Sequence, residues 1–151
     1  MTPTVPSGLD QIISTFGNID DPRFEQNCIV PFAFPYTMKY VGKIVKTGRC
    51  HYMLKETFEA VFEKIKKEGL QYSANDYDGC YAKRSIRGHS SHASTHSWGI
   101  AIDLEGQDNP LGSKGKMDPG VVRIFKDFGF FWGGKFKSRF DPMHFQYVKN
   151  Y

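Results

Sequence analysis

Two short stretches of this chain carry residue types that could do chemistry together. The first is Ser94-Thr95-His96-Ser97-Trp98-Gly99-Ile100-Ala101-Ile102-Asp103, where a polar histidine-bearing segment runs into an apolar one that ends on a carboxylate. The second is Asp141-Pro142-Met143-His144-Phe145 near the far end. Two imidazoles and one carboxylate form a zinc donor set that leaves a fourth position for water. Zn²⁺ lowers the pKa of such a water to about 7, and a carboxylate that does not bind the metal can take its proton. Asp141, three residues before His144, is close enough in sequence for that task. Spacings of this kind also recur by chance. A partly buried strand histidine and a loop aspartate held by structural hydrogen bonds would account for the same residues. The H-E-x-x-H signature of helical zinc proteases is absent.

The elements that must position these residues can be read from periodicity. Over 98–104 the alternation puts Ile100 and Ile102 on one side of a strand, with Ala101 and Asp103 on the other. A carboxylate on a small-residue face of such a strand is costly unless something satisfies its charge. In the last strand Met143, Phe145 and Tyr147 share one face, and His144, Gln146 and Val148 the other. Leu54, Phe58, Val61, Phe62 and Ile65 make the apolar stripe of a helix over 53–68, stopped by Gly69. Asp118-Pro119 starts a second helix that runs to about 127. A shorter helix over 8–16 follows Ser7 and stops at Gly17. Strands are expected at 28–34, where Pro31 restricts pairing to an edge, at 41–45 pairing back onto it, and at 70–74. Residues 18–27, 75–79, 88–97 and 105–116 read as connectors. Helices mixed with short antiparallel strands define an α+β class rather than a βαβ series.

Composition narrows the function classes. At 151 residues the chain suits one domain spanning 1–151, with 1–27 as an N-terminal arm and short helix. The aromatic share, 13 Phe and 8 Tyr among it, suits a β-rich core or a groove for an extended ligand. A net charge of +4 is compatible with an anionic partner, yet no Lys/Arg stripe with interleaved aromatics argues for nucleic acid. Cys28, Cys50 and Cys80 form no C-x-x-C pair, and their odd number argues against a disulfide framework and for a reducing compartment. The first residues lack a basic and apolar leader, and no apolar run reaches the ~20 residues of a membrane span. The expected location is the cytoplasm of the producing cell, with no membrane insertion.

The blocks taken together are more specific than any one of them. S-x-H-x-x-G-x-A-x-D at 94–103 and D-x-x-H-F at 141–145 are joined by Tyr81, Arg84-Ser85-Ile86-Arg87-Gly88 and Phe131-Trp132-Gly133-Gly134. In this order they resemble the D-alanyl-D-alanine carboxypeptidase family of zinc peptidases, and within it the L-alanyl-D-glutamate endopeptidase branch of bacteriophage endolysins. The resemblance runs from about residue 50 onward. It implies a hedgehog/DD-peptidase-like fold, a small antiparallel sheet with packed helices and an open zinc cleft. It further implies His96, Asp103 and His144 as zinc ligands and Asp141 as general base. Arg84, or Arg87 in its place, would bind the substrate carbonyl and stabilise developing negative charge, unless both are surface residues. Ser94, Tyr81 and Trp132 would contact substrate, and Gly99 and Ala101 would leave room beside the metal. The branch often follows W-G-G with an acidic residue and Trp, where this chain has Lys135 and Phe136, and some relatives carry Glu in place of Asp141.

The expected activity is hydrolysis of a peptidoglycan stem-peptide bond, L-Ala-D-Glu or D-Ala-D-Ala, by a monomer with no separate wall-binding domain, released from the producing cell or carried on a phage particle. The alternative is a non-catalytic zinc module of the same fold that binds a wall or protein ligand. His51, His89 and His92 are expected to lie outside the chemistry.

Overall fold

Two of the helices stop by the same device. Helix α3 (Lys55–Lys67) ends at Gly69, which takes φ +73°. Gly69 N–H then donates to Lys66 O at 3.0 Å, and Leu70 N–H donates back to Ile65 O at 2.9 Å. Helix α4 (Pro119–Asp127) repeats this pattern at Gly129 and Phe130, with bonds to Lys126 O and Phe125 O. These reciprocal bonds satisfy carbonyls that a helix end otherwise leaves open. At its start α4 is capped by Asp118, whose Oδ1 accepts from Gly120 N–H at 2.7 Å, with Pro119 in the first turn. The computed structural model that shows this describes residues 2–86 and 89–151, without the side chains of 85–91. Arg87, an alternative to Arg84 as substrate cation, and the side chain of His89 lie outside the described residues.

In chain order, α1 (Gly8–Phe16) and a short α2 (Phe24–Cys28) precede a long antiparallel ribbon, β1 (Ile29–Tyr40) and β2 (Lys43–His51). Val41 and Gly42 form its two-residue turn at φ +49° and +75°, the sign that matches strand twist in a hairpin. After α3 come β3 (Tyr77–Gly79), a hairpin of β4 (Ser85–Ile86) and β5 (His89–Ala93), then β6 (Ala101–Leu104). Strands β7 (Phe131–Trp132) and β8 (His144–Gln146) follow α4. The central sheet has the order β3-β6-β8-β7, with antiparallel neighbours. The class is α+β with small antiparallel sheets and packed helices, as the periodicity implied.

Aromatic side chains bind these layers into one core. Phe58 of α3 stacks on Phe32 of the ribbon at 5.0 Å, and Phe62 packs beside them. On the other side Phe125 of α4 stacks on Phe145 of β8 at 4.1 Å. Each fully buried side chain of this size contributes on the order of 2–3 kcal/mol from area removed from water. Phe145 thus fastens β8 to the core, and its strand neighbours His144 and Gln146 face the opposite side of the sheet.

Five expectations need correction, the first being the connector at 88–97, which contains β5, paired with β4. Residues 70–74 form no strand: the chain leaves α3 through the Gly69 motif into a 3-10 turn at Gln71–Ser73. The expected turn at 75–79 contains β3, because Tyr77 is drawn into the core and pairs with Leu104. The connector 18–27 contains most of α2, where Phe24 is buried. The strand expected from residue 98 begins at Ala101, since Gly99 turns left-handed at φ +69° after a 3-10 turn. Among the described residues no helix is long and apolar enough to cross a membrane.

Candidate metal centre and active site

The first metal candidate is set by a short turn rather than by a strand. Thr95–Trp98 is a 3-10 turn capped by Ser94, whose Oγ accepts from His96 N–H at 3.2 Å. Trp98 anchors the turn by donating its indole N–H to Gly17 O at 3.0 Å. Gly99 closes it where the backbone of β2 passes. A Cβ there would lie 2.7 Å from His51 N, which donates to Gly99 O at 2.9 Å. The turn therefore requires glycine for both its conformation and its contact.

The other two candidates face each other across the sheet. Asp103 of β6 and His144 of β8 are register partners, and directly opposed residues place their side chains side by side. Asp103 Oδ1 lies 3.0 Å from His144 Nδ1 and 3.2 Å from His96 Nε2. All three residues are buried, and their potential ligand atoms fall within 4.8 Å of one another. Donors at ~2.0–2.2 Å from a tetrahedral zinc stand about 3.3 Å apart, close to these separations.

A specific defect in hydrogen bonding shows that the group suits a cation. His96 Nδ1 lies 2.6 Å from Cys80 O, and a carbonyl only accepts, so Nδ1 carries the hydrogen. His96 Nε2 then points a lone pair at a carboxylate oxygen, and this buried atom has no hydrogen-bond partner among the described residues. Such an atom costs about 1–3 kcal/mol of desolvation if nothing satisfies it. A metal ion between the nitrogen and the carboxylate would satisfy both, with Cys80 O as the outer partner that orients the ring. For Asp103, burial works against ionisation, but the two flanking imidazoles outweigh it and hold the carboxyl well below the usual carboxylate range. Burial likewise opposes a charge on His144, and Asp103 outweighs that and raises its pKa.

The cluster forms the floor of a cavity of about 350 Å³. Asp141, half-buried, lines this cavity with His144, and its negative charge also acts to raise the pKa of that imidazole. Its backbone is fixed by a turn: His144 N–H donates to Asp141 O at 3.1 Å, and Asp141 N–H donates to Gly133 O at 2.9 Å. Gly133 approaches Asp141 so closely that any Cβ would collide with Asp141 O. Arg84 also lines the cavity, its backbone pinned by Ser97 Oγ and by Ser94 N–H. Among the described residues Arg84 forms no salt bridge.

Of the residues named from sequence, His96, Asp103, His144, Asp141, Arg84 and Ser94 meet at this cavity, while Tyr81 and Trp132 do not line it. Tyr81 lies under the Arg49 guanidinium, 5.4 Å from the ring centroid. Trp132 donates its indole N–H to Pro142 O at 2.7 Å, which holds the turn carrying Asp141. The sequence reading gave no site role to Phe136, Arg139, Thr95 or Gln146, which also line the cavity. Phe136, which stands where the branch often has Trp, covers the His144 ring at 5.9 Å. Gln146 was marked by strand alternation, two residues beyond His144 on the same face. His51 is remote from the cluster in role: its Nε2 donates to Phe16 O at 2.9 Å and its Nδ1 accepts from Met53 N–H. His92 is exposed at the rim.

A buried carboxylate between two imidazoles, with a further carboxylate and a guanidinium lining the same cavity, is a group that could hold a metal ion. The comparison with protein families agrees: residues 87–147 match the model described as D-alanyl-D-alanine carboxypeptidase, a family of zinc peptidases. The matched segment holds His96, Asp103, Asp141 and His144, and leaves Tyr81 and Arg84 outside it. No curated protein and no solved structure matches the chain.

Proposed function

We propose that the protein is a zinc-dependent peptidase that hydrolyses a bond in the peptide stem of bacterial peptidoglycan, L-Ala-D-Glu as an endopeptidase or D-Ala-D-Ala as a carboxypeptidase. The observation that carries this reading is Asp141, a carboxylate outside the His96–Asp103–His144 set yet lining the same cavity. A purely structural metal site needs no such group, which weighs against a non-catalytic zinc module.

His96, Asp103 and His144 would hold the ion. When bound, zinc would supply Lewis-acid polarisation and a water acidic enough to be deprotonated near neutral pH. Asp141 then acts as general base and passes the proton to the leaving amine. Arg84 places positive charge where the carbonyl oxygen becomes negative, an arrangement most effective in a site that excludes water. Ser94 caps the turn that presents His96 and so fixes that ligand's direction. Phe136, Met143 and Leu111 give the cavity apolar walls, and Arg84 and Arg139 give it positive ends. That lining suits a short peptide with a carboxylate near the scissile bond. The net charge of +4 suits approach to an anionic wall. Synthesis in the cytoplasm, with action on the wall after release as an endolysin or from a phage particle, as a monomer, completes the proposal.

The test is digestion of purified peptidoglycan by the zinc-loaded wild type and by Asp141→Ala, followed by mass spectrometry of the new termini. The expected result is one class of new amino terminus from the wild type and almost none from the variant. A zinc-loaded wild type that releases no new terminus would overturn the reading in favour of a binding module.

A further inference from the structure

The two nitrogens of the His144 ring are not equivalent, and the group that distinguishes them is an amide. Gln146 is 4% exposed and lies beside His144 on the cavity face of β8. Its Nε2 donates to Val148 O at 3.3 Å and to Tyr151 O at 3.5 Å. Carbonyl oxygens can only accept, so the amide nitrogen must face these two and Oε1 must face the other way. Oε1 lies 2.8 Å from His144 Nε2. An amide oxygen also only accepts, so the ring hydrogen belongs on Nε2. Thr95 adds a second donor to the same oxygen, with its Oγ1 at 3.3 Å from Oε1 and 3.4 Å from His144 Nε2. Thr95 directly precedes His96, so one small network touches the mountings of both imidazoles.

Asp103 creates the need for this device. Its Oδ1 is 3.0 Å from His144 Nδ1. Left to that contact alone, the ring would place its hydrogen on Nδ1 and donate to the carboxylate. That tautomer makes a satisfactory hydrogen bond and blocks Nδ1 as a ligand. Gln146 opposes it by offering an acceptor at Nε2. We propose that Gln146 is a positioning residue that selects Nδ1 of His144 as the metal-binding nitrogen, with the carbonyls of Val148 and Tyr151 anchoring its amide. The inference rests on the metal-site reading above but on no assumption about substrate. It also assigns a role to residues 148–151, beyond the matched family segment.

The experiment uses the full chain and Zn²⁺ alone as probe. Zinc affinity is measured by chelator competition for wild type, Gln146→Leu and Gln146→Glu, with folding of each metal-free protein followed by circular dichroism. Loss of an outer partner of a ligating histidine typically weakens affinity about 10–100-fold, and that loss is expected for Gln146→Leu. Gln146→Glu keeps an acceptor at the same place and is expected to bind zinc within a few-fold of wild type or more tightly. Nitrogen-15 NMR of the histidine rings in the zinc-loaded wild type supplies a readout independent of any substitution. The expected spectrum shows a hydrogen-bearing Nε2 on His144 and a metal-shifted Nδ1. A hydrogen on Nδ1 with Nε2 as ligand would overturn the proposal even if Gln146→Leu failed to fold. Equal zinc affinity in a folded Gln146→Leu would overturn it as well. Neither readout needs a peptide substrate, so failure of hydrolysis and failure of this inference are separate results.

Discussion

Histidine is buried in two regions of this molecule, and the two regions treat it differently. His51 lies where the ribbon meets α1, with Phe16 and Phe24 rings against it at 5.0 and 6.0 Å. Both its nitrogens are satisfied by backbone groups, one donating to Phe16 O and one accepting from Met53 N–H. His96 and His144 are also buried, but each turns a nitrogen toward the same oxygen of Asp103. The first region closes its hydrogen bonds internally, and the second gathers three potential ligand atoms within 4.8 Å of one another. Burial of a histidine therefore says little about function; the identity of the partner at the second nitrogen says much more.

The largest expected effect breaks the second region alone. Asp103→Asn removes the negative charge that both imidazoles face, while the aromatic core on the far side of the sheet keeps its packing. Stoichiometric zinc binding should be lost, a larger effect than the ~10–100-fold cost of losing an outer partner. Metal content after dialysis, measured on protein that retains its circular dichroism spectrum, checks this. Wild-type affinity in the variant would mean that the three residues are not a metal site. Asp141→Ala comes next: zinc should be retained, and kcat should fall by about 10²–10⁴, the usual contribution of a positioned acid or base. A fall in zinc content that parallels the loss of activity would instead place Asp141 among the ligands.

Phe62→Ala addresses the aromatic core rather than either histidine region. It removes a ring packed against Phe32, Phe34 and Phe125, and should cost about 3–5 kcal/mol of stability. Zinc affinity per folded molecule should be unchanged, because the ring touches no candidate ligand. Urea unfolding with and without excess zinc separates the two quantities. A zinc affinity that fell together with stability would show that the core and the cleft are one mechanical unit.

What could be read from the chain before folding follows the same division. Helices α3 and α4 were legible because the apolar stripe and Gly69 stop of the one and the Asp118-Pro119 start of the other act over a few residues. The candidate ligand residues His96, Asp103 and His144 were picked out through a family resemblance in their motifs, and the structure brings them together. Spacing alone left them open, since Asp103 and His144 meet only through the pairing of β6 with β8. Strand β3 was missed because its pairing partner lies 27 residues further along, Tyr77 against Leu104. The Cys80 side chain is buried. Its backbone carbonyl nevertheless orients His96, and no side-chain pattern marks a carbonyl. Tyr81 and Trp132 were read as substrate contacts from the resemblance; they instead pack beside Arg49 and hold the Asp141 turn.

The smallest effect tests the comparison most directly, because the two regions should respond to pH with opposite signs. Burial lowers the pKa of His51 from its ordinary value of 6.5, partly offset by the bond to Phe16 O. Folding there favours the neutral ring. Its contribution to stability is complete above about pH 6.5 and is lost as pH falls through the lowered folded value. In the metal-free protein the pKa of His144 is raised above 6.5, since Asp103 outweighs burial. Folding there favours the charged ring, so its contribution is complete below about pH 6.5 and is lost as pH rises through the raised value. Unfolding free energies of metal-free wild type, His51→Gln and His144→Gln, measured by urea between about pH 5 and 8, give two difference curves. The His51 difference should grow toward alkaline pH and the His144 difference toward acid. Zinc requires the deprotonated imidazole, so its affinity should rise over the interval in which His144 loses its proton. Two curves of the same slope would mean that the cleft histidine is satisfied in the way His51 is, and the distinction between the two regions would fall.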